Sequence, residues 1–482
     1  MNTLIRRLVG DGRHVGALVV LGAALASVAP LLVEGGVVTG ALANGLSWLP
    51  WVFGGVTVVL LLFTPGFVAM TERTPIGGGL PAIVTAGLGP VAGVVAWYVA
   101  LVAYGLLQVG IYGLVGTQFA SFFATYGHFN HSWWFWALAA WVVVTAASQF
   151  KLRWIGIVLI VFTAGEFVVS VLISGGALAN AHEPVHALTA GHMSLADISA
   201  AIPVCVLGFI GFETTAVYKR EVEHPRRTMS HSTIAALATP ALLFIAAAWA
   251  ITAHDGGQAA SLAASQGPGA YFGISTHGES VAANILLNTS LLGGLMGYNQ
   301  AWVRYAYSGA SAGMMPSVFE PTTERGIHQP LTVLQAGCGL AAIGLTYWRG
   351  WDPFQILFYR VGTLGGFGVL WLLALAAIAV VAHFWRDRLG ETVWVARICP
   401  AVSAVLLLTM AVLASWHFAP MIGVTSSDPV ATALPLSYLV IALLGLRWTL
   451  KVRRQQPEKY AALSGPPAPT PAVPTGTIAQ GA

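Results

Sequence analysis

Twelve apolar stretches divide the chain between residues 15 and 450, and this repetition limits the possible folds more than any single motif does. A helix needs about 20 apolar residues to cross a bilayer. The predicted spans are 15–41, 50–71, 86–122, 133–150, 154–177, 196–218, 231–254, 281–311, 329–348, 353–382, 396–418 and 430–450. Only 8% of the residues are charged, against about 25% in soluble domains, so we predict an all-α polytopic membrane protein within a lipid bilayer.

The lysines and arginines are distributed unevenly over the connections between these spans. They precede span one and follow the even-numbered spans, and the connections that contain neither are 42–49, 123–132, 178–195, 255–280 and 419–429. Only Arg349, and Arg360 near the start of span ten, depart from this alternation. Because basic connections stay in the cytoplasm, we predict a cell-membrane protein with both termini cytoplasmic. The basic residues form no patch, so no nucleic-acid partner is predicted.

Three segments outside the spans carry separate predictions. Segment 255–280 is rich in glycine and is predicted to hold a short surface helix over the outer mouth. The tail 451–482 is rich in proline, alanine, glycine and threonine, so it cannot bury a core and is predicted to be disordered. The N-terminal tail, 1–14, is predicted to be cytoplasmic.

Spans one and six are both interrupted by helix-breaking residues beside a carboxylate. Span one contains Pro30 and then Glu34-Gly35-Gly36-Val37, and span six contains Gly208-Phe209-Ile210-Gly211 and then Glu213. Because five is odd, units that begin five spans apart lie in opposite orientations. Paired interrupted spans indicate a binding site at the membrane midplane of an inverted-repeat transporter.

Four sequence stretches carry a resemblance to a known family. Phe209 to Glu213, followed by Glu221, Glu223 and His224-Pro225-Arg226-Arg227, resembles the sixth-span signature of the amino acid–polyamine–organocation permeases. The stretches Thr74 to Gly78, Ala103 to Gly110 and Asn299 to Pro316 resemble the turn before span three, span three itself and the end of span eight in that family. The resemblance covers roughly residues 15–450.

The resemblance implies a LeuT-like fold with a 5+5 inverted-repeat core. The core would be 15–382, with a first repeat over 15–177 and a second over 196–382, and 396–450 would hold two accessory transmembrane helices. Spans one and six would both be broken helices. An amino acid's carboxylate would meet span-one backbone at Val33, Glu34, Gly35 and Gly36. Its ammonium would meet the span-six backbone at Leu207, Gly208, Phe209, Ile210 and Gly211. The partial charges at helix ends agree with that assignment.

Glu34 departs from the family pattern, because it stands where the first glycine of a Gly-Ser-Gly motif is expected. It is predicted to pair with a substrate cation, to bind a coupling proton, or to pair with another side chain. Arg360 departs as well, since it replaces an apolar or aromatic residue of span ten. We hypothesise that a Glu34–Arg360 ion pair closes an outer gate.

Four other polar residues are candidates. Glu166 of span five is predicted to carry a proton or to bond a neighbouring helix, and Glu213 to brace span six below the site or take part in gating. Gln108 shares a face of span three with Tyr104 and Tyr112 at four-residue spacing, so it either lines a cavity or packs. Asn299 of span eight is predicted to lie on the substrate pathway.

These residues favour a secondary active transporter that moves an amino acid or a related amine by alternating access. Sodium coupling is disfavoured because Leu295 to Asn299, the stretch of span eight compared with sodium-binding relatives, has no small hydroxyl residue. We therefore expect proton symport, with exchange of substrates as the alternative. A non-transporting nutrient sensor is less favoured, since no folded output domain follows span twelve. The oligomeric state stays open.

No enzyme motif, cofactor motif or metal centre is predicted. His182-Glu183-Pro184-Val185-His186 matches the letters of a zinc-protease motif, but that motif presents its ligands on a helix. Here it lies in a short loop, with a proline that breaks an interior helical turn.

Overall fold

The structure, a computed structural model, describes residues 17–74, 79–149, 153–181, 184–188, 194–213, 215, 225–275, 277–320 and 328–463. Every predicted apolar run contains a helix, and the secondary structure within these ranges is helical throughout. Nine helices in these ranges are long and apolar enough to cross a membrane. The protein is therefore a multi-pass helical membrane protein. The N-terminal tail 1–14, the end of the C-terminal tail and part of the His182–His186 motif lie outside the described residues.

The spans occupy the following helices. Span one comprises Ala17–Val28 and Pro30–Ala43, span two is Leu49–Thr71, span three Pro90–Tyr126, span four Trp133–Ala147, span five Arg153–Asn180, span six Leu195–Phe209, span seven Pro225–Asp255, span eight His277–Ser311, span nine Gln329–Trp348, span ten Pro353–Arg360 and Val361–Arg386, span eleven Trp394–Ile398 and Cys399–Trp416, and span twelve Pro429–Gln455. A capping box of Ser194 and Asp197 begins span six.

Two boundaries differ from the sequence prediction. Span three is preceded by a separate helix, Gly79–Leu88, and the chain turns between the two at Gly89, whose φ is 89°. Span twelve continues to Gln455, and a further helix, Pro457–Ala462, places the Lys459 ammonium 5.5 Å from the Trp448 ring. The prediction of disorder is therefore wrong for residues 451–463.

Spans three and ten form the buried centre, with span twelve at the periphery. Glycines allow the two central helices to approach closely. A methyl group at Gly113 would lie 2.2 Å from the carbonyl oxygen of Pro353, and one at Gly365 would lie 2.8 Å from Leu107. The small residues thus bring span ten against span three, beside the interrupted part of span one.

The connection between spans seven and eight folds into the molecule. It contains two short helices, Ala259–Gln266 and Gly269–Gly273, so the prediction of a helix in this segment is confirmed. The helix is not superficial, since Tyr271 and Phe272 are both buried. The Phe272 ring would lie 3.5 Å from a methyl group at Gly35. We call Gly269–Gly273 the loop helix; it covers one end of span one.

Candidate functional site

Span one is interrupted at Ala29. This alanine has φ 50° and ψ 73°, a left-handed conformation, and it separates Ala17–Val28 from the helix that begins at Pro30. Proline has no N–H to continue a helix, and its ring disfavours the α conformation in the residue before it. The break therefore lies at Pro30, the first of the predicted helix breakers, and not at Glu34 to Val37. That stretch lies in a continuous π-helix, Val33–Val38.

Gly36 of span one has a packing function in this conformation. A methyl group at Gly36 would lie 2.7 Å from Leu114 of span three and 2.9 Å from Phe358 of span ten. Such distances are too short for a real contact, so a side chain at Gly36 would displace its neighbours. Gly36 is therefore required for the close approach of neighbouring helices and does not itself break span one.

Span six is interrupted where the sequence predicts it. Its helix ends at Phe209, Ile210 is extended, and Gly211 has φ 123°, a value that L-residues rarely adopt. The Tyr298 hydroxyl donates to the Ile210 carbonyl oxygen at 3.4 Å. Gly208, still helical, packs against span one, since a methyl group there would lie 2.9 Å from Val33. The helical residues beside the two interruptions are therefore in contact.

A small cavity of about 20 Å³ lies between the two breaks. Its lining comes from spans one, three, six, eight and ten, and comprises Val28, Ala29, Leu32, Val33, Val37, Leu107, Ile111, Leu207, Tyr298, Phe358 and Gly362. Apart from the Tyr298 hydroxyl, every lining side chain is apolar. About 10–15 Å³ of such space holds one water molecule, so the cavity is nearly closed in this conformation, and the surrounding helices would have to move apart to admit an amino acid.

Two predicted substrate-binding residues, Val33 and Leu207, line this cavity. The other nine do not: Glu34, Gly35, Gly36, Gly208, Phe209, Ile210, Gly211, Gln108 and Asn299. Gln108 instead accepts a hydrogen bond from Gln335 of span nine, and Asn299 accepts one from Ser148 at 3.3 Å. Leu107 and Tyr298, the chain neighbours of Gln108 and Asn299, line the cavity in their place and were not predicted from the sequence.

Glu213 is held by two hydrogen bonds. Its Oε1 accepts from the Tyr104 hydroxyl of span three, and its Oε2 accepts from the Gly211 N–H at 2.9 Å. The carboxylate is buried and lies beyond the break, outside the cavity lining. This geometry fits the bracing interpretation of Glu213.

Glu34 and Glu166 form a second acidic cluster behind the break. Glu34 Oε1 accepts from Ser170 Oγ at 2.6 Å, whereas Oε2 is buried and has no hydrogen-bond partner among the described residues. Glu166 Oε2 accepts from the Leu31 N–H at 3.3 Å and from Ser290 Oγ at 2.9 Å. The two carboxyl groups are near enough to interact electrostatically. In the part of the chain that the structure describes, no lysine or arginine pairs with either.

A comparison with protein families agrees with this arrangement. A family model described as amino acid permease matches residues 16–449. The chain belongs to this family. The permease is thus a member of the amino acid–polyamine–organocation superfamily, as the sequence resemblance predicted, and its family consists of amino acid transporters and not of enzymes. A search of curated proteins finds no match.

The hypothesis of a Glu34–Arg360 ion pair is wrong for this conformation of the permease. Both residues are described, and no ion pair joins them: Glu34 bonds Ser170, while Arg360 Nε is buried without a partner among the described residues. Span ten approaches span one through Phe358, whose ring lies against Gly36. The closeness of spans one and ten was thus predicted from the sequence, but the orientation of the Arg360 side chain was not.

Span eight has a small hydroxyl residue beside the span-one break, outside the stretch Leu295 to Asn299. The residues that face the span-one break are Ser290, which bonds Glu166, and Gly294, whose added methyl group would lie 3.1 Å from Leu32. A hydroxyl is therefore present there. It acts as a donor, however, and it converges with the Leu31 N–H on the same carboxylate oxygen. A sodium ion at this position would have to displace both donors.

Glu391, between spans ten and eleven, is the one described acid with two arginine partners in the permease. It accepts from Arg73 at 3.0 Å and from Arg226 at 2.5 Å, so it connects the ends of spans two and seven. Burial by itself raises the pKa of Glu391, but the hydrogen bonds and charges of Arg226 and Arg73 outweigh it and hold the pKa below its usual range.

Proposed function

We propose that this permease moves a neutral amino acid with an apolar side chain across the cell membrane by proton symport. The observation that carries the proposal is the small apolar cavity between two helix interruptions whose flanking residues contact each other. Alternating access would expose this cavity to each side in turn. Both termini would be cytoplasmic, as the distribution of basic residues indicates.

The backbone ends supply the charges that a zwitterion needs. The helix that begins at Pro30 presents its N-terminal end to the cavity, since Ala29 and Leu32 both line it. The span-six helix presents its C-terminus at Phe209. Helix ends carry about half a positive and half a negative charge respectively. The substrate carboxylate would therefore lie at span one and its ammonium at span six.

The cavity lining supports a neutral side chain over an amine or a cationic amino acid. Glu34 is not part of the lining, because its carboxylate lies behind the break on Ser170. A cationic side chain in the cavity would meet only apolar surface and the Tyr298 hydroxyl. An unpaired buried charge costs several kcal/mol, of the order found for ions in protein interiors.

Glu34 and Glu166 are the proposed coupling residues. Both are buried and both lack a cationic partner among the described residues, so a proton is the charge best able to neutralise them. Glu166 also bonds the first N–H of the span-one helix. Protonation of Glu166 would therefore change a hydrogen bond at the N-terminus of the helix that is proposed to bind the substrate carboxylate.

The two-repeat architecture remains part of this proposal. We propose a core over 15–382, with repeats 15–177 and 196–382 in opposite orientations and accessory helices over 396–450. The contact between interruptions that begin five spans apart supports it.

Reconstituted protein provides the test. Proteoliposomes with an alkaline interior receive an external mixture of the twenty standard amino acids, each radiolabelled in a separate run, with sodium replaced by choline. We expect apolar amino acids to accumulate several-fold on the pH gradient alone. Accumulation that requires sodium, or uptake that requires an internal amino acid, would instead identify sodium symport or exchange. Accumulation of basic amino acids only would contradict the proposed substrate class.

A further inference from the structure

A row of polar side chains follows one face of span five. Glu166, Ser170 and Ser174 are four residues apart, and all three are buried. Residues at this spacing lie one above another on a helix. Ser174 precedes the end of the helix, Asn180, by six residues, or about 9 Å at 1.5 Å per residue. The row therefore runs from the level of the break towards the proposed outer end of span five.

Hydrogen bonds connect this row to Glu34 through the loop helix. The Tyr271 hydroxyl lies 2.9 Å from Ser174 Oγ and 3.4 Å from Ser170 Oγ. Ser170 Oγ in turn donates to Glu34 Oε1 at 2.6 Å. Three hydroxyl groups thus form an unbroken chain that ends on a carboxylate, and Tyr271 supplies its middle member from a different part of the sequence.

The carboxylate at the end of the chain is able to receive a proton. Glu34 Oε2 is buried and has no partner among the described residues. The titratable groups that face Glu34 in the described chain are Tyr271 from the loop helix and Glu166 from span five. Span eight contributes Ser290, which bonds Glu166. None of these groups carries a positive charge that would compete with a proton.

We propose that Ser174, Tyr271 and Ser170 conduct the coupling proton from the outer face to Glu34. This inference rests on the proposed proton symport. Ser174 takes a proton from outer water and passes its own to the Tyr271 oxygen, Tyr271 passes its own to Ser170, and Ser170 passes its own to Glu34 Oε1. Each hydroxyl ends with one proton, and one proton has been added to the carboxylate. Reorientation of the three hydroxyls restores the starting state.

Because Tyr271 belongs to the loop helix, the proton relay depends on where that helix lies. The loop helix covers span one beside Gly35. The chain of hydroxyls is therefore complete only while the loop helix is docked. Displacement of this helix would separate Ser170 from Ser174 and stop conduction to Glu34.

The test separates proton movement from substrate movement. Proteoliposomes with trapped pyranine receive the external mixture of twenty amino acids, and internal acidification is followed. Counterflow of the same radiolabelled mixture at equal pH on both sides reports substrate movement alone. For Tyr271→Phe and Ser174→Ala we expect substrate-dependent acidification to slow at least tenfold, with counterflow within twofold of wild type.

Two control variants remove a buried hydroxyl elsewhere in the membrane region. They are Tyr438→Phe, whose hydroxyl bonds the Leu364 carbonyl at 3.0 Å, and Ser403→Ala, whose hydroxyl bonds the Pro400 carbonyl at 3.1 Å. Both should behave as wild type. Wild-type acidification rates in both relay variants, or equal losses of acidification and counterflow, would overturn the relay. Absence of acidification in wild type, with counterflow present, would overturn proton symport and the relay with it.

Discussion

The interruptions of spans one and six are similar in the sequence but differ in what holds them. The span-six break has a glycine at positive φ, and its nearby acid, Glu213, uses both carboxylate oxygens in hydrogen bonds. The span-one break has an alanine at positive φ, and its nearby acid, Glu34, uses only one. Because unsatisfied buried polar groups are rare, the incompletely bonded acid is the better candidate for a role that changes during transport.

The largest expected effect tests this contrast between the two acids. Glu213→Ala removes two buried hydrogen bonds, each with a cost of about 1–3 kcal/mol when a partner is left unpaired. Glu34→Ala removes one bond and also an uncompensated buried charge. We expect Glu213→Ala to lower the thermal unfolding midpoint by several degrees, while Glu34→Ala stays near wild type in the same detergent. Equal losses in the two variants would remove the distinction between them.

The next largest effect is expected on the KM for uptake, in variants that disturb the packing beside the two breaks. Gly36→Ala would push against Phe358 and Gly208→Ala against Val33, and both of those side chains line the cavity. Overpacking costs about 1–3 kcal/mol, so we expect the KM for uptake to rise about tenfold or more in each variant. Gly35→Ala is the matched control, because its nearest neighbour would be at 3.5 Å. A normal KM in all three variants would mean that the cavity does not bind substrate.

The side chains that each break contributes to the cavity are expected to set specificity. Val33→Ala and Leu207→Ala both enlarge the cavity, the second by more carbon atoms. One methylene in a hydrophobic pocket is worth about 1–3 kcal/mol. The ratio of phenylalanine to valine uptake should therefore rise about tenfold, and further for Leu207→Ala. An unchanged ratio in both variants would place the substrate side chain elsewhere.

The smallest effect concerns an acid that, unlike Glu34, has cationic partners. The pKa of Glu391 is lowered in the folded protein, so its contribution to stability is present above its unfolded value, about 4.3, and is lost as pH falls through the folded pKa. Glu391→Gln should lower the unfolding midpoint by one to a few degrees at pH 7. The difference should shrink below about pH 4.3. A difference that grows on acidification would contradict the sign of this shift.

The sequence predicted the helices well because hydrophobic length is a local property. It named Pro30 among the helix breakers of span one but did not separate it from Gly35 and Gly36, whose flexibility is outweighed by the effect of Pro30 on Ala29. Side-chain direction was not accessible either. Gln108 and Leu107 differ by one helix position, and only packing against span nine shows which of the two faces the cavity.

The residues around Glu34 and Glu166 show which contacts can be predicted from one sequence and which cannot. The spacing of Glu166, Ser170 and Ser174 is visible in the sequence and would have identified the polar face of span five. Tyr271 has no such signal, because it lies in the short loop helix more than 90 residues away, and its hydroxyl reaches span five only through the docking of that helix. Likewise, Ser290 faces Glu166 because of the tilt and height of span eight, which composition does not determine.

The alanine at position 29 also limits how far the two halves of span one can move relative to each other without a substrate. Glycine would adopt the same left-handed conformation with about 1–2 kcal/mol less steric cost, but it would also give the junction many more backbone conformations. With alanine before Pro30, the two halves of span one keep a narrow range of relative angles even without a substrate. The binding backbone is thereby preorganised, so less conformational entropy is lost when a ligand arrives.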